Sequence, residues 1–384
     1  MKDLAIILLG LTVPALARNL FDVPPGATAK VKIIDSTVRL GGLSDTTFVT
    51  PKLEGFDVLP TLPVWSFLIE SSTGRKAVFD LAVPPDPASS YSPAVLEQIE
   101  GFNAELRIEK HVADILKDGG VKLAEVESVI WSHYHFDHIG DIATFPLTTE
   151  IVVGPGFSDA YLPGYPTNPN STLLDRYFVN RTLREIDFTT SSLKAGTFLA
   201  HDFFGDGSFF LLDTPGHTTG HLGGLARTTT NPDTFIFMGG DLCHHSAILR
   251  PSPERPIPKD LHIHLHDIPA SHSRVYQCPG AVTKEEFEHL NIKRSRRADE
   301  PFFDPVLVEN FTQAVDTIRR TQTADVSDNV WFVSAHDPHI IGTADFFPKE
   351  ANHWKKKGWA EKVYWTFLKD LLPAVEVDRE DGEA

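Results

Sequence analysis

The chain has 384 residues, and 41% of them are hydrophobic, which is enough for a substantial buried core. Lys and Arg total 35 against 52 for Asp and Glu, so the formal net charge of −17 disfavours nucleic acids and anionic membrane surfaces as partners. Because Cys243 and Cys278 are the two cysteines, one disulfide at most can form and a disulfide scaffold is excluded.

The N-terminus has the features of a signal peptide. A short apolar run at 4–13 precedes Ala15-Leu16-Ala17, a small-x-small pattern typical of a cleavage site. We therefore expect residues 1–17 to be a signal peptide and residues 18–384 to form a secreted protein; the alternative is an uncleaved segment on a cytoplasmic protein. No later run approaches the roughly 18 apolar residues needed to span a bilayer, so no membrane contact of the mature form is expected.

Strand and helix patterns alternate along the remainder of the chain. Runs rich in β-branched and aromatic residues predict strands at 31–40, 63–71, 76–83, 126–132, 150–155, 207–217, 221–228, 234–245 and 329–339. Helices are predicted at 92–103, 109–120, 306–322 and 359–372, the first with Ser92 as N-cap and Pro93 after it. Since no repeat or long linker divides these elements, we expect one α/β domain.

The segment from about 250 to 303 interrupts this alternation, because it is dense in Pro, His and charged residues. We interpret it as an insertion that caps the site. The same segment and the loop at 154–166 are expected to supply the cavity walls that select the substrate.

The strand at 126–132 ends in a cluster of metal-ligand side chains, "SHYHFDH". His133 and His135 are two apart, so in extended chain they project to the same side. Asp137 and His138 follow where the chain turns, and they would face the cavity from another direction. Sites in α/β proteins form at such strand ends, so the spacing predicts two half-sites for metal ions.

Three later strands also end in a ligand-type residue, namely His217, Asp241 and His336. We assign the first ion to His133, His135 and His217, and the second to Asp137, His138 and His336. Asp241 is expected to bridge the two, because a carboxylate has two oxygens. The mixed nitrogen and oxygen ligands favour two Zn²⁺ ions per chain, although manganese, iron or cobalt would also fit.

Together these motifs resemble those of the metallo-β-lactamase superfamily. The H-x-H-x-D-H turn, "DTPGHTTGH", "GGD" and "SAHD" occur in the order typical of that family. The resemblance implies a four-layer αβ/βα sandwich with the metals at one edge. "GGLSDTTFVTP" and "GGDLCHHSAILRPSP" are most similar to its lactonase branch, particularly to fungal-looking members.

Such a site would use a metal-bridging hydroxide as nucleophile to open a lactone or cleave a related ester. Asp137, Asp241 and His244 are the predicted catalytic residues; His244 stands where bacterial homoserine-lactone hydrolases have a tyrosine, and it could protonate the leaving oxygen. The alternative activity is that of a glyoxalase II-like or polyketide-releasing thioesterase. A binding protein that retains metals without turnover is a third possibility.

Two neighbouring residues have open assignments at this point. His221 could replace His217 as a ligand, although Gly220 favours a turn there. Asp80, which ends the strand at 76–83, could orient a ligand histidine or cap the following turn. The expected partner is a small lactone, ester or thioester, and the oligomeric state cannot be predicted.

Overall fold

The computed structural model describes residues 21–190, 192–261, 263–264 and 281–382. The expected signal peptide at 1–17 lies outside the described residues, as does Cys278 and therefore any pairing with Cys243. Among the described helices, none combines the length and apolar character that crossing a membrane requires.

Strands and helices alternate along the described chain. The strands are β1 Lys30–Gly41, β2 Val49–Thr50, β3 Leu62–Glu70, β4 Lys76–Phe79, β5 Glu105–Arg107, β6 Val126–Ile130, β7 Glu150–Val153, β8 Leu183–Glu185, β9 Lys194–Ala195, β10 Phe198–Asp202, β11 Phe209–Asp213, β12 Leu222–Thr229, β13 Thr234–Met238, β14 Ile263–His264, β15 Ala281–Val282, β16 Asp304–Pro305 and β17 Val330–Val333. The α-helices are α1 Asp45–Phe48, α2 Pro87–Ser90, α3 Pro93–Phe102, α4 Val112–Asp118, α5 Phe136–Ile139, α6 Phe157–Tyr161, α7 Lys284–Ile292, α8 Phe311–Asp325, α9 Trp354–Lys357, α10 Trp359–Val363 and α11 Leu372–Gly382.

Two large sheets organise the fold. The first has seven strands in the order β5-β1-β3-β4-β6-β7-β8, and the second has six in the order β17-β13-β12-β11-β10-β9. Strands β4, β6, β7 and β8 pair in parallel, as do β13 and β17, and the other pairs within the two sheets are antiparallel. Parallel strands place their carboxyl ends at the same edge of a sheet, so each sheet gathers several strand ends at one edge.

The sheets pack face to face with helices outside them. In β3, Trp65 and Phe67 join the apolar cluster between the sheets, whereas Val64 and Leu68 belong to the outer cluster. This alternation explains why the strand is apolar nearly throughout, because both of its faces are buried. Helix α4 packs on β1 and α8 packs on β17. The result is the expected four-layer αβ/βα sandwich.

The segment at about 250–303 forms its own small elements. Strands β14 and β15 pair as a two-stranded ladder, and α7 follows with Thr283 and Glu286 as a reciprocal capping box. Its described part packs near the C-terminal helix, where Arg379 pairs with Glu286.

Candidate metal centre

The histidine cluster follows β6 and continues into the single turn of helix α5. His135 is the residue before that helix, and Asp137 and His138 lie within it. The turn is held against the segment that follows β4, because the backbone N–H of Leu81 donates to the carbonyl of His138 at 2.8 Å. A Cβ atom added at Gly140 would lie 2.4 Å from the Cβ of Leu81, which is a collision. Glycine is therefore required where the chain leaves the turn.

His133, His135 and His217 form a first group of converging imidazoles. His217 Nε2 lies 3.2 Å from His133 Nε2 and 3.0 Å from His135 Nδ1. Ligand nitrogens about 2.0–2.1 Å from a tetrahedral zinc ion are roughly 3.3 Å apart, so these spacings are those of a ligand set. The structure brings together the three residues assigned to the first ion.

Asp137, His138 and His336 form a second group on the other side of Asp241. Asp137 Oδ2 is 3.7 Å from His138 Nε2 and 3.4 Å from His336 Nε2. His138 Nε2 is buried and has no hydrogen-bond partner in the described part of the chain. A buried polar atom without a partner is costly, and a cation at this point would satisfy it. These are the three residues assigned to the second ion.

Asp241 lies between the two groups. Its Oδ1 is 3.1 Å from both His138 Nε2 and His336 Nε2, whereas its Oδ2 is 3.6 Å from both His133 Nε2 and His217 Nε2. The two oxygens therefore face different groups, as expected for a bridging carboxylate. With Asp241 counted on both sides, each group offers four potential ligand atoms. The whole set therefore fits two divalent cations.

The protonation of the first group suits metal binding. Burial, with the neighbouring imidazoles, holds the pKa of His133 and of His217 well below the usual value. Burial also lowers the pKa of His135 to about 4. These histidines are therefore neutral near pH 7, and only a neutral imidazole has a nitrogen lone pair free for a metal.

The carboxylates dominate in the second group. Burial lowers the pKa of His138, but Asp241, Asp137 and Asp80 outweigh it and raise that pKa well above its usual value. For Asp241, burial is outweighed in the opposite direction by the imidazoles, mainly His138 and His336, so its pKa is lowered well below the usual value. Asp241 is therefore ionised and surrounded by positive charge density.

Hydrogen bonds behind the second group fix the orientation of its imidazoles. His138 Nδ1 donates to Asp80 Oδ2 at 2.8 Å, and His336 Nδ1 donates to the carbonyl of Pro63 at 2.9 Å. In both rings Nδ1 is thereby occupied, and Nε2 is the nitrogen that faces the site and would give up its proton when a metal ion binds. Asp80 thus orients the imidazole of His138, a candidate metal ligand, which is the first of the two roles expected for it. Pro63 was not a candidate, because a backbone carbonyl has no sequence signal.

His221 does not join either group. Its Nε2 accepts the backbone N–H of Asp241 at 3.2 Å, and its Nδ1 lies 3.0 Å from the carbonyl of Thr214. Since Nε2 accepts, the ring proton is on Nδ1 and is donated to Thr214. The residue considered as an alternative ligand instead supports the backbone of Asp241.

His244 faces the centre rather than away from it. Its Nε2 is 3.2 Å from Asp241 Oδ2, and its ring stacks on that of His336 with centroids 5.7 Å apart. Phe48 packs edge-on against the same ring at 5.0 Å. His244 is therefore held at the boundary between the carboxylate and the adjoining cavity.

An additional residue, Glu309, supports the loop that carries His217. Its carboxylate accepts from Thr219 N at 2.6 Å and from Tyr161 Oη at 2.9 Å, while its own backbone N–H donates to the carbonyl of His217 at 2.9 Å. Glu309 has no distinctive sequence signal, because an acidic residue before a helix resembles an ordinary helix cap.

A cavity of about 320 Å³ opens onto the centre. Its walls come from the β1–α1 region, helix α3 and the histidine turn, and its lining residues are Leu40, Leu43, Phe48, Leu62, Gln98, Ile99, Phe102, Ala104, Leu106, Tyr134, His135, Phe136, Asp137, Asp241, His244, Leu307 and His336. The expectation that 250–303 and 154–166 form the walls is wrong for their described residues. Those segments pack elsewhere, and short apolar stretches of the N-terminal half line the cavity.

Comparisons with known proteins agree with this geometry. Residues 59–229 match the family described as the metallo-beta-lactamase superfamily. Similar proteins include Gamma-lactamase FDB1 of Fusarium pseudograminearum, 38% identical over 91% of this chain and 84% of that protein, and Metallo-hydrolase mfmC of Annulohypoxylon moriforme, 38% identical over 94% and 92%. The chain also matches three longer Penicillium proteins, of which it spans 39–40% of the length.

A solved structure with the same fold is B. thuringiensis AiiA with N-decanoyl-L-homoserine bound at its active site. It is 16% identical, covers 85% of this chain and 100% of that chain, and has a TM-score of 0.54. The identity over nearly full length with the Fusarium and Annulohypoxylon proteins, together with the match at the histidine turn, establishes the family. The chain is a metal-dependent hydrolase and belongs to the metallo-β-lactamase superfamily.

Proposed function

We propose that the chain is a dinuclear zinc hydrolase that opens a lactone or cleaves a related ester. The observation that supports this most strongly is the position of Asp241, whose two oxygens face two separate imidazole groups. The ions would be held by His133, His135 and His217 on one side and by Asp137, His138 and His336 on the other, with Asp241 in contact with both. When bound, two zinc ions supply Lewis acidity that polarises a carbonyl and activates water near neutral pH.

The chain itself supplies orientation and a proton. Opening a lactone breaks the bond from the carbonyl carbon to the ring oxygen, and that oxygen must gain one proton to leave as a hydroxyl. His244 lines the cavity beside Asp241, so we assign the donor to its Nε2. Asp137 also lines the cavity, and its Oδ2 is 3.4 Å from His336 Nε2 and 3.7 Å from His138 Nε2.

The cavity favours a neutral and largely apolar substrate. Its volume is near the lower end of the range for ligand pockets, roughly 300–1,000 Å³. Among its described lining residues there is no lysine or arginine to pair with an anionic carrier. A thioester of a large anionic carrier, the alternative substrate class, is therefore less well accommodated than a small lactone.

A cyclic amide is a second candidate substrate. Two fungal relatives are named gamma-lactamase, the one from F. pseudograminearum and one from Gibberella moniliformis that is 42% identical over 59% of this chain. A γ-lactam and a γ-lactone differ at the leaving atom alone, so the same cavity and donor could serve both.

The test combines metal analysis with a substrate panel. We expect about two zinc ions per chain, and turnover of γ-lactones above that of γ-lactams, acyl thioesters and β-lactams on the zinc-loaded protein. Asp241→Asn should lose bound metal and reduce kcat/KM by more than the roughly 10–100-fold typical of residues behind the ligands. Asp202→Asn, on β10 of the same sheet, is the matched control and should retain both ions.

Full metal content and full activity in Asp241→Asn would contradict the bridging role. Preferred turnover of thioesters would support the thioesterase alternative instead. Retention of two ions without turnover of any compound in the panel would favour a binding protein.

A further inference from the structure

A second buried cluster lies behind the metal centre and consists of His245, His339 and Asp370. Asp370 Oδ2 is 3.0 Å from His245 Nε2 and 2.8 Å from His339 Nε2. His245 and Asp370 are 4–5% exposed, and His339 is half-buried. The three atoms are close enough for a metal site, but their hydrogen bonds indicate another role.

The protonation of His245 excludes metal binding through the nitrogen that faces Asp370. The backbone N–H of Ala247 donates to His245 Nδ1 at 3.1 Å, so Nδ1 has no proton and Nε2 carries it. A protonated Nε2 donates a hydrogen bond and cannot ligate a cation. The cluster is therefore two imidazoles donating to one carboxylate. In agreement, burial raises the pKa of Asp370, but His339 and His245 outweigh it and lower that pKa, so Asp370 is ionised.

The positions of the two histidines in the chain connect this cluster to the metal centre. His245 is four residues after Asp241, and His339 is three residues after His336. Both loops leave adjacent parallel strands, β13 and β17. Asp370 belongs to the C-terminal part of the chain, in the 3-10 turn Thr366–Leu371 that precedes α11. One carboxylate thus holds two loops that enter the centre from neighbouring strands.

We propose that Asp370 is a positioning residue that fixes the loops of Asp241 and His336 by accepting hydrogen bonds from His245 and His339. We call these three residues the Asp370 brace. The brace stands on hydrogen bonds of the described chain, whereas its effect on ion retention rests on the proposed dinuclear function.

The geometry predicts an unequal effect on the two ions. His336 belongs to the second group alone, so loosening its loop weakens the second group directly. The first group shares Asp241 with the second, but its other ligands, His133, His135 and His217, come from loops other than those of His245 and His339. Asp370→Asn should therefore weaken binding of the second ion by about 10–100-fold, as for other residues behind metal ligands, and weaken binding of the first ion much less.

The first measurement needs neither metal nor activity. Hydrogen exchange of the full chain in a chelator should be faster at 241–245 and 334–341 in Asp370→Asn than in the unmodified chain. The matched control is Asp325→Asn, which removes another buried carboxylate, one that pairs with Arg250 and Arg255 rather than with the brace. Unchanged exchange in both segments, or equal acceleration in the control, would overturn the brace whatever the protein hydrolyses.

The second measurement is a titration of the metal-free chain with Co²⁺, followed by visible absorption. A selective loss of the second binding step in Asp370→Asn, with the first step kept, supports the proposal. Parallel loss of both steps, as general destabilisation would cause, contradicts it. Binding of a third ion that disappears in Asp370→Asn would also overturn it, because the cluster would then be a metal site.

His339→Gln provides a milder variant if Asp370→Asn does not fold. It removes one of the two donors and leaves the bond from His245 to Asp370 in place. Faster exchange should then be confined to 334–341. If exchange at 241–245 increases equally, the two loops are not held independently by the carboxylate.

Discussion

The backbone N–H of Asp241 is buried, and it donates to Nε2 of His221. The contact depends on Gly240, which has a φ of +53°, and a Cβ there would lie 2.9 Å from that Nε2. Glycine at position 240 therefore permits the ring of His221 to approach the backbone of Asp241. One hydrogen bond thus links Asp241 of "GGD" to His221, the second histidine of "DTPGHTTGH".

His221→Leu should destabilise the fold by about 1–3 kcal/mol, because it leaves the N–H of Asp241 buried without an acceptor. His221→Gln should cost less, since the glutamine carbonyl can still accept. The free energy of unfolding in urea measures both. Equal stability of the leucine variant and the unmodified chain would show that this hydrogen bond contributes nothing.

Asp80 supports the side chain of His138 from behind, as His221 supports the backbone of Asp241. It has a φ of +61°, and it also accepts from the backbone N–H of Ser132 at 2.7 Å. Asp80→Asn preserves this backbone conformation, because asparagine tolerates positive φ, but it removes the charge behind the imidazole. Competition with a chelating dye should show metal affinity reduced by about 10–100-fold. The exposed Asp86→Asn should show no reduction.

The convergence of the candidate ligand residues could be predicted because their spacing and their positions at strand ends are visible in the sequence. His133, His217 and His336 all follow apolar runs; β6 and β17 pair in parallel with neighbouring strands, whereas β11 before His217 is antiparallel. The residues that orient them could not all be predicted. Pro63 acts through its carbonyl, and Glu309 acts from a loop about 90 residues after His217, so neither has a local pattern.

At the scale of elements, helix α3 shows what a sequence pattern omits. The signals at Ser92 and Pro93 predict its start correctly, and Ser92 Oγ accepts from the N–H of Val95. However, the pattern does not indicate that Ile99 and Phe102 face the cavity. Apolar residues on a helix predict a buried face, and that face can contact either a core or a ligand.

Phe102→Ala should therefore change substrate binding more than catalysis. Phe102 stacks on Phe48 with ring centroids 6.2 Å apart and lines the cavity. Loss of one aromatic partner costs about 0.5–1.5 kcal/mol, which corresponds to a roughly 2–13-fold higher KM for an apolar lactone, with kcat nearly unchanged. Phe178→Ala, which removes a ring packed on Trp131 outside the cavity, is the control. A fall in kcat alone would place Phe102 elsewhere in the reaction.

The Asp370 brace should contribute most to the free energy of unfolding within a limited pH range. The lowered pKa of Asp370 means that its contribution is fully present above about pH 4, the unfolded value, and is lost as pH falls through the folded pKa. Burial and the positive charge of Lys369 lower the pKa of His339. The carboxylates of Asp370 and Asp337 outweigh both, so the pKa of His339 is raised. Its contribution is fully present below about pH 6.5 and is lost as pH rises through the folded pKa.

The difference in unfolding free energy between the unmodified chain and His339→Gln should therefore be largest between about pH 4 and 6.5. Above this range it should decrease as His339 loses its proton. Urea unfolding at a series of pH values measures the difference. A difference that is constant from mildly acidic to alkaline pH would show that the ionic part of the brace does not contribute.

At the scale of the whole molecule, the architecture follows from the alternation of buried strands and helices, and the resemblance supplies the layer order. The path of 250–303 could not be deduced from composition, because Pro-rich and charged segments are compatible with many surface positions. Its described part packs toward α11 rather than over the cavity.

Removal of metal should lower thermal stability without unfolding the chain. The two apolar layers do not depend on the ions, so secondary structure should persist in a chelator at 25 °C. Each tightly held ion at about 1,000 times its Kd contributes roughly 4 kcal/mol, so Tm should fall by on the order of 5 °C per ion. Circular dichroism with and without excess Zn²⁺ checks this. An unchanged Tm would argue against native-state metal binding.

The side chains around Asp241 are contributed by both sheets and lie as far apart in the chain as His133 and His336. During synthesis, a ribosome that has released the first sheet has exposed four of these side chains but not His336 or the strand beneath it. The candidate metal centre is therefore complete only when nearly all of the described chain has emerged. Assembly of this centre is thus a late event, which requires that elements of both sheets have reached their final places.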